Sequence, residues 1–281
     1  MTALDAMDGL PLRQFLEPLQ GTGELHLSLG PDAAGHHRVT ALPQATIKAW
    51  MAEVARDYDD MDARTQAAYL VGDIAWAFGL NLAALHMAGS GLPDIGPEAV
   101  AVAPQWYRWE DGDENGEALR FTLRLLASPD AVHRPLDIDG IRALAVAVHA
   151  PLIEALFALT RLGRNAMWRL VADALASGWL SVGKRVGLVE QSMRVADAIV
   201  HGGGAPLANK QTGFVEIVVR DAADPSRILG CEWFRARGGC CRYYTTGKSA
   251  GEYCSTCVLR PAESRDKRLH DYVRGKLLAS A

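Results

Sequence analysis

Apolar residues recur at two different spacings along this 281-residue chain. Ile47, Trp50, Met51, Val54 and Tyr58 fall three or four apart, which predicts a helix starting near Gln44 with one apolar face. Tyr69, Leu70, Ile74, Phe78, Leu82 and Leu85 predict a second, longer helix over Ala63–Met87, closed by Gly89-Ser90-Gly91. The spacing then changes to two. Leu119, Phe121, Leu123 and Leu125 alternate with Arg120, Thr122 and Arg124, and this run follows Ala99–Val102, Gln105–Trp109 and the turn-forming stretch 111–116. That pattern predicts a β-hairpin with one wet face.

Residues 138–201 return to helical spacing, with apolar faces at Met167, Leu170, Val171, Ala174 and Leu175 and again across Ser192 to Val200. Pro151 has no amide hydrogen for the preceding turn, so it is expected to kink one helix or to begin another. A second strand pair is predicted at 214–219 and 227–234 around Ala223-Asp224-Pro225, and residues 262–278 form an amphipathic tail. The first 40 residues are poorly periodic, broken by Gly21, Gly23, Gly30, Pro31 and Gly35. No internal repeat is visible. Helices, hairpin, helices, hairpin in that order predict an α+β fold, a helix-rich body with antiparallel β-hairpins, rather than a doubly wound sheet.

With 49% hydrophobic and 22% charged residues and a mean hydropathy of 0.00, the chain has globular composition. At this length roughly three quarters of the extended-chain surface can be buried without disulfide staples. A net charge of −4 argues against a nucleic-acid binder. The charge is unevenly spread. Residues 1–230 carry 19 Lys and Arg against 28 Asp and Glu, whereas residues 231–281 carry 10 against 5. All five cysteines (231, 240, 241, 254 and 257) lie in that basic segment, so the chain is read as a body over 1–230 and a cysteine-bearing segment over 231–281, forming one compact unit.

The N-terminal residues show neither a basic nor an apolar signal region, and an odd, clustered cysteine count makes a poor disulfide framework. A cytoplasmic, reducing location is expected. Ala143 to Leu159 includes His149, Pro151 and Glu154, and Leu70 to Gly89 is interrupted by Asp73 and Asn81. Both stretches are read as buried core helices rather than membrane spans, because a carboxylate at mid-bilayer costs about 2.5–3.5 kcal/mol. Peripheral membrane contact stays open.

Four cysteines stand as Cys240-Cys241, twelve intervening residues, then Cys254-Ser255-Thr256-Cys257. Two residues between cysteines let a tight turn aim both sulfurs at one centre, and four thiolates serve either one Zn²⁺ or an iron–sulfur cluster. Neighbouring side chains diverge, so the adjacent pair suits a centre with two metal atoms better than one tetrahedral ion. On spacing alone a two-iron cluster, a zinc knuckle in a binding module, and redox or structural thiols all remain.

Arg237-Gly-Gly-Cys240-Cys241-Arg-Tyr243-Tyr244 followed by Tyr253-Cys254-Ser-Thr-Cys257 resembles the C-terminal signature of the FhuF-type ferric-siderophore reductases. In that family a Cys-Cys pair, about ten residues and C-x2-C bind a 2Fe–2S cluster; here the gap is twelve, a difference a loop absorbs at little entropic cost. Asn165-Ala-Met-Trp168-Arg-Leu is similar to a further family feature upstream. The resemblance implies that Cys240, Cys241, Cys254 and Cys257 hold a 2Fe–2S cluster. It also implies a one-electron reductase that releases Fe(II) from a ferric siderophore in the cytoplasm. A non-redox siderophore-related enzyme is the other reading that fits such a fold.

Around the ligands, Arg235, Arg237, Arg242 and Lys248 are candidates for raising a cluster's potential or docking an acidic donor or anionic chelate. Tyr243 and Tyr244 are candidates to line a substrate approach. Trp106, Tyr107, Trp109, Trp168 and Trp179 are read as packing residues, and His86, His149 and His201 as isolated structural histidines. Cys231, in Ile228-Leu229-Gly230-Cys231, is expected to be a buried strand thiol. Neither Gly21-Thr22-Gly23 nor His201-Gly202-Gly203-Gly204 makes a dinucleotide fingerprint. Electrons would therefore come from a separate protein such as a ferredoxin or a reductase. Gly89-Ser90-Gly91 lacks the upstream glycine of a hydrolase nucleophile elbow.

Overall fold

A computed structural model describes residues 26–31, 35–87, 92–93, 96–111, 114–128, 133–134 and 137–279. Gly21, Gly23, Gly89-Ser90-Gly91 and the centre of the first hairpin turn, 112–113, lie outside them. The fold is mixed α+β and a little over half helical.

Among the described residues there are six α-helices: α1 Gln44–Val54, α2 Ala63–Met87, α3 Ile138–Thr160, α4 Arg164–Val186, α5 Val189–His201 and α6 Ala262–Ala279. The expected face of α1 is buried at Ile47, Trp50, Met51 and Val54. Tyr58 lies beyond the helix end and meets Tyr69 edge-on, ring centres 6.0 Å apart. From Ala67 onward α2 is buried on nearly every side rather than along one stripe, because α1, α3, α4 and the sheet all pack on it. Its tightest neighbour is α4. A Cβ added at Gly178 would sit 2.6 Å from the backbone carbon of Gly79. Only a glycine pair allows the two backbones to close to that distance.

Helix α3 continues through Pro151 without restarting there. Pro151 is exposed, so the carbonyl it leaves unbonded faces water. The other face of α3 is buried at Ile141, Ala145, Val148, Leu152, Ile153 and Leu156. Helices α2 and α3 are both long and apolar enough to cross a membrane. The apolar window of α2 is 78% buried inside the protein and that of α3 is 39% buried, consistent with one buried face. His149 on that face donates or accepts at Nδ1 with the Ala145 carbonyl oxygen at 2.8 Å, and burial holds its pKa down to about 4.

The strands are β1 Leu27–Leu29, β2 His37–Arg38, β3 Leu92–Pro93, β4 Val100–Asp111, β5 Glu114–Leu125, β6 His133–Arg134, β7 Gly213–Arg220 and β8 Ile228–Ala236. The larger sheet has the order β1-β5-β4-β2, with β1 parallel to β5 and the other pairs antiparallel. The β4–β5 ladder continues to Asp111↔Glu114, so Glu114–Gly116, read as turn residues, belong to the strand. Phe121, Leu123 and Leu125 face the helices.

The β7–β8 hairpin is a separate two-stranded sheet. Ile217 and Val219 pack with Leu269 and Val273 of α6, making a small second core. Cys231 pairs with Val218 rather than with this face, and it is exposed. The expectation of a buried thiol was therefore wrong: α6 covers one face of the hairpin, and strand alternation places Cys231 on the other. The expected division at 230/231 falls inside β8.

Candidate functional site

The four sulfurs lie in two loops that follow β8. The first, Arg237 to Arg242, is pressed against α4. The side chain responsible is Asp173, which is 1% exposed in the middle of the apolar run Leu170–Leu175. Its carboxylate accepts hydrogen bonds from the amides of Gly238 at 2.8 Å and Gly239 at 2.9 Å and from the Thr212 hydroxyl at 2.8 Å. Arg237 Nε stands 3.6 Å from the same carboxylate. Gly239 has to be a glycine, since a Cβ there would lie 2.9 Å from the Leu170 amide nitrogen. Arg235 adds a bond from Nη1 to the Asp173 carbonyl oxygen at 3.0 Å.

The second loop carries the C-x2-C turn, closed by the Cys257 amide donating to the Cys254 carbonyl oxygen at 3.1 Å. Arg260 braces it from outside, with Nε donating to the Cys254 carbonyl oxygen at 3.3 Å and Nη2 donating to the Tyr253 carbonyl oxygen.

These two loops bring the sulfurs together. Cys240 is in hydrogen-bonding contact with Cys257, and Cys254 with Cys241, while Cys240 also feels Cys241 and Cys254 also feels Cys257 electrostatically. Further donors converge on them. Arg237 Nη1 lies 3.7 Å from the sulfurs of both Cys241 and Cys254. The Arg242 amide donates to Cys240 Sγ at 3.4 Å, and the Tyr243 amide donates to Cys241. The hydrogen bond from Cys254 lowers the Cys241 thiol to about 5 against the opposing effect of burial, with Arg237 assisting. Its partner Cys254 is pushed up by that same bond and by burial. Burial works against the Arg237 charge, yet Cys241, Asp173 and Cys254 more than offset it and hold its pKa above the usual value.

Among the described residues, no three His, Cys, Asp or Glu side chains converge as the site of a single metal ion. Four thiols with N–H donors beside them are residues of the type that hold either a zinc ion or an iron–sulfur cluster.

The remaining candidates divide. Arg242 reaches the sulfurs only through its backbone; its side chain donates to Asp62 at 2.9 Å and Thr65 at 3.1 Å, tying the loop to the start of α2. Tyr243 donates its hydroxyl to the Lys248 carbonyl oxygen at 3.4 Å, and Lys248 Nζ lies 4.6 Å from the Tyr58 ring centre. Trp168 and Trp179 are buried in the core, as expected of packing residues. Asp173 and Arg260 were not singled out from the sequence. A lone carboxylate on the buried face of a helix was the available signal for Asp173.

Adjacent Cys240 and Cys241 face different spaces. Cys240 lines an exposed, mainly apolar groove of about 480 Å³ with Leu162, Arg169, Tyr244 and Leu259. Cys241 lines a cavity of about 390 Å³ between α2 and α4. Asp73, on the wall of that cavity, has its carboxyl pushed up to about 7 by burial and by the nearby Cys241.

Comparison with known protein families, characterised proteins and solved structures found no match to this chain.

Replacing Asp173 by alanine strands two backbone amides, a hydroxyl and a guanidinium in a buried site. Asp173→Ala is expected to cost roughly 3–5 kcal/mol in urea denaturation, and Asp173→Asn a similar amount, because its amide NH2 turns a donor against partners that themselves donate. An alanine variant within about 1 kcal/mol of the parent would remove Asp173 from this role.

Proposed function

We propose that the chain is a one-electron reductase of oxygen-chelated ferric iron, with a 2Fe–2S cluster held by Cys240, Cys241, Cys254 and Cys257. The observation that carries this reading is that two loops bring four thiols together, with the Arg237 guanidinium 3.7 Å from two of them. The siderophore as the natural chelate is suggested by the cysteine signature, Arg237 to Tyr244 and Tyr253 to Cys257, and its resemblance to the FhuF-type reductases. A cluster of this kind supplies electrons one at a time, at a potential set by nearby charge and hydrogen bonds to its sulfurs.

Each turnover takes one electron from an external donor protein and delivers it to Fe(III), leaving Fe(II) and an intact chelator. Release follows from the metal's own chemistry: Fe(III) grips hard oxygen donors tightly, and Fe(II), with lower charge density, holds them weakly. The chain's residues contribute position and field. Asp173 fixes the loop, the Arg242 and Tyr243 amides cap two sulfurs, and Arg237 places a positive charge beside Cys241 and Cys254. A cation there favours the reduced, more negative state.

Anaerobic mixing of the reduced protein with a ferric trihydroxamate, with Fe(II) trapped by a chromogenic chelator, should yield one Fe(II) per chain. Cys254→Ser protein should be bleached and yield none; a variant that kept both colour and yield would contradict the ligand assignment. Arg237→Gln should lower the midpoint potential by roughly 50–100 mV, as expected when a charge-assisted hydrogen bond to sulfur is lost. An unchanged or raised potential in a redox titration would reject the electrostatic role.

A further inference from the structure

Two cavities flank α2. One, about 390 Å³, runs between α2 and α4 to Cys241 and includes Tyr69, Gly72, Ser177 and Arg235 in its wall. The other, about 400 Å³, lies between α2 and the larger sheet, with Asn81, Tyr107 and Arg120 in its wall. Asp73 and Trp76 line both, so the two cavities share this stretch of wall.

Gly72 is the informative residue. A glycine inside a helix costs about 1 kcal/mol relative to alanine. Gly79, two turns on, has a packing reason, because the α4 backbone would lie 3.1 Å from a Cβ there. At Gly72 an added Cβ meets no atom within 4 Å. The missing side chain therefore leaves open space in the cavity instead of admitting a neighbouring helix.

The charged groups in the walls are mixed: Arg235, Arg237 and Asp173 near Cys241, Asp73 at the junction and Arg120 beyond it. Guanidinium donors at the Cys241 end and an indole at the junction suit a ligand rich in negatively polarised oxygens, with a planar arm.

We infer that the cavity between α2 and α4 is the electron-acceptor site. A ferric chelate wrapped by oxygen donors sits with its metal end against Arg235 and Cys241 and a planar arm along Trp76. This assignment rests on the one-electron reductase reading, and it places the acceptor on the opposite side of the Cys-Cys pair from the exposed groove at Cys240.

Gallium(III) complexes test it, because they share the charge and size of the ferric ones and are not reduced. The gallium complexes of a trihydroxamate and of a tricatecholate are titrated separately into the whole protein, with tryptophan fluorescence and calorimetry as readouts. At least one should bind saturably at one per chain, and Gly72→Leu should weaken it by roughly tenfold or more, a loss of about 1.4 kcal/mol or greater. The leucine has space and better helix propensity, so its unfolding midpoint should match or exceed the parent's. Trp76→Leu, checked by circular dichroism, gives the same comparison should the Gly72 variant fold poorly. Binding of neither complex, or binding unchanged in a folded cavity variant, overturns the site. Iron and sulfide content of the same samples reports on the cluster separately. A protein that binds gallium chelates without a cluster keeps this site and loses the reductase reading.

Discussion

A carboxylate stripped of water persists in a protein interior only if its charge is answered on several sides. Asp173 is answered by two loop amides, a threonine hydroxyl and an arginine, and none of these belongs to its own helix. The consequence is mechanical as well as electrostatic. The loop from Arg237 to Arg242 has little regular structure to hold its shape, and it takes that shape from α4. Because α4 is locked to α2 through the Gly79–Gly178 crossing, the position of Cys240 and Cys241 is referred to the centre of the core.

The adjacent cysteines then turn a local rule of chain geometry into sidedness. Successive side chains diverge, and here they diverge into separate open spaces, Cys240 into a mainly apolar groove and Cys241 into the space between α2 and α4. Each pairs with one cysteine of the C-x2-C turn. The charge environment is just as unequal. Arg237 approaches Cys241 and Cys254, whereas the side chain of Arg242 is committed to Asp62 and Thr65. Two arginines that look equivalent in sequence thus do different work: one sets the field at sulfur, the other secures the loop to α2.

Much of this architecture was legible in the sequence where periodicity was long. The 3.6-residue repeat located α1 and α2, and alternation located both hairpins. Short strands such as β1 and β2 escaped, since two or three residues carry no alternation and exist only through pairing with β5 and β4. The β4–β5 turn was read too wide because Glu114, Asn115 and Gly116 have turn chemistry but are held in the ladder by their partners. Pro151 begins no new helix, because its cost depends on whether the freed carbonyl meets water, a tertiary fact. Cys231 failed for the same kind of reason: an apolar sequence neighbourhood does not say which hairpin face a later helix will cover. At the site, the cysteine spacing was plain, while Asp173 and the cavity at Gly72 depended on contacts between distant segments.

The central claim is that four cysteines near the end of the chain bind two bridged irons. Iron, zinc and acid-labile sulfide analysis of anaerobically purified protein, with electron-spin-resonance of the dithionite-reduced sample, addresses it most directly. The account predicts two irons and two sulfides per chain and a spin-one-half signal that appears on reduction. One zinc per chain, with neither iron nor inorganic sulfide, would contradict it.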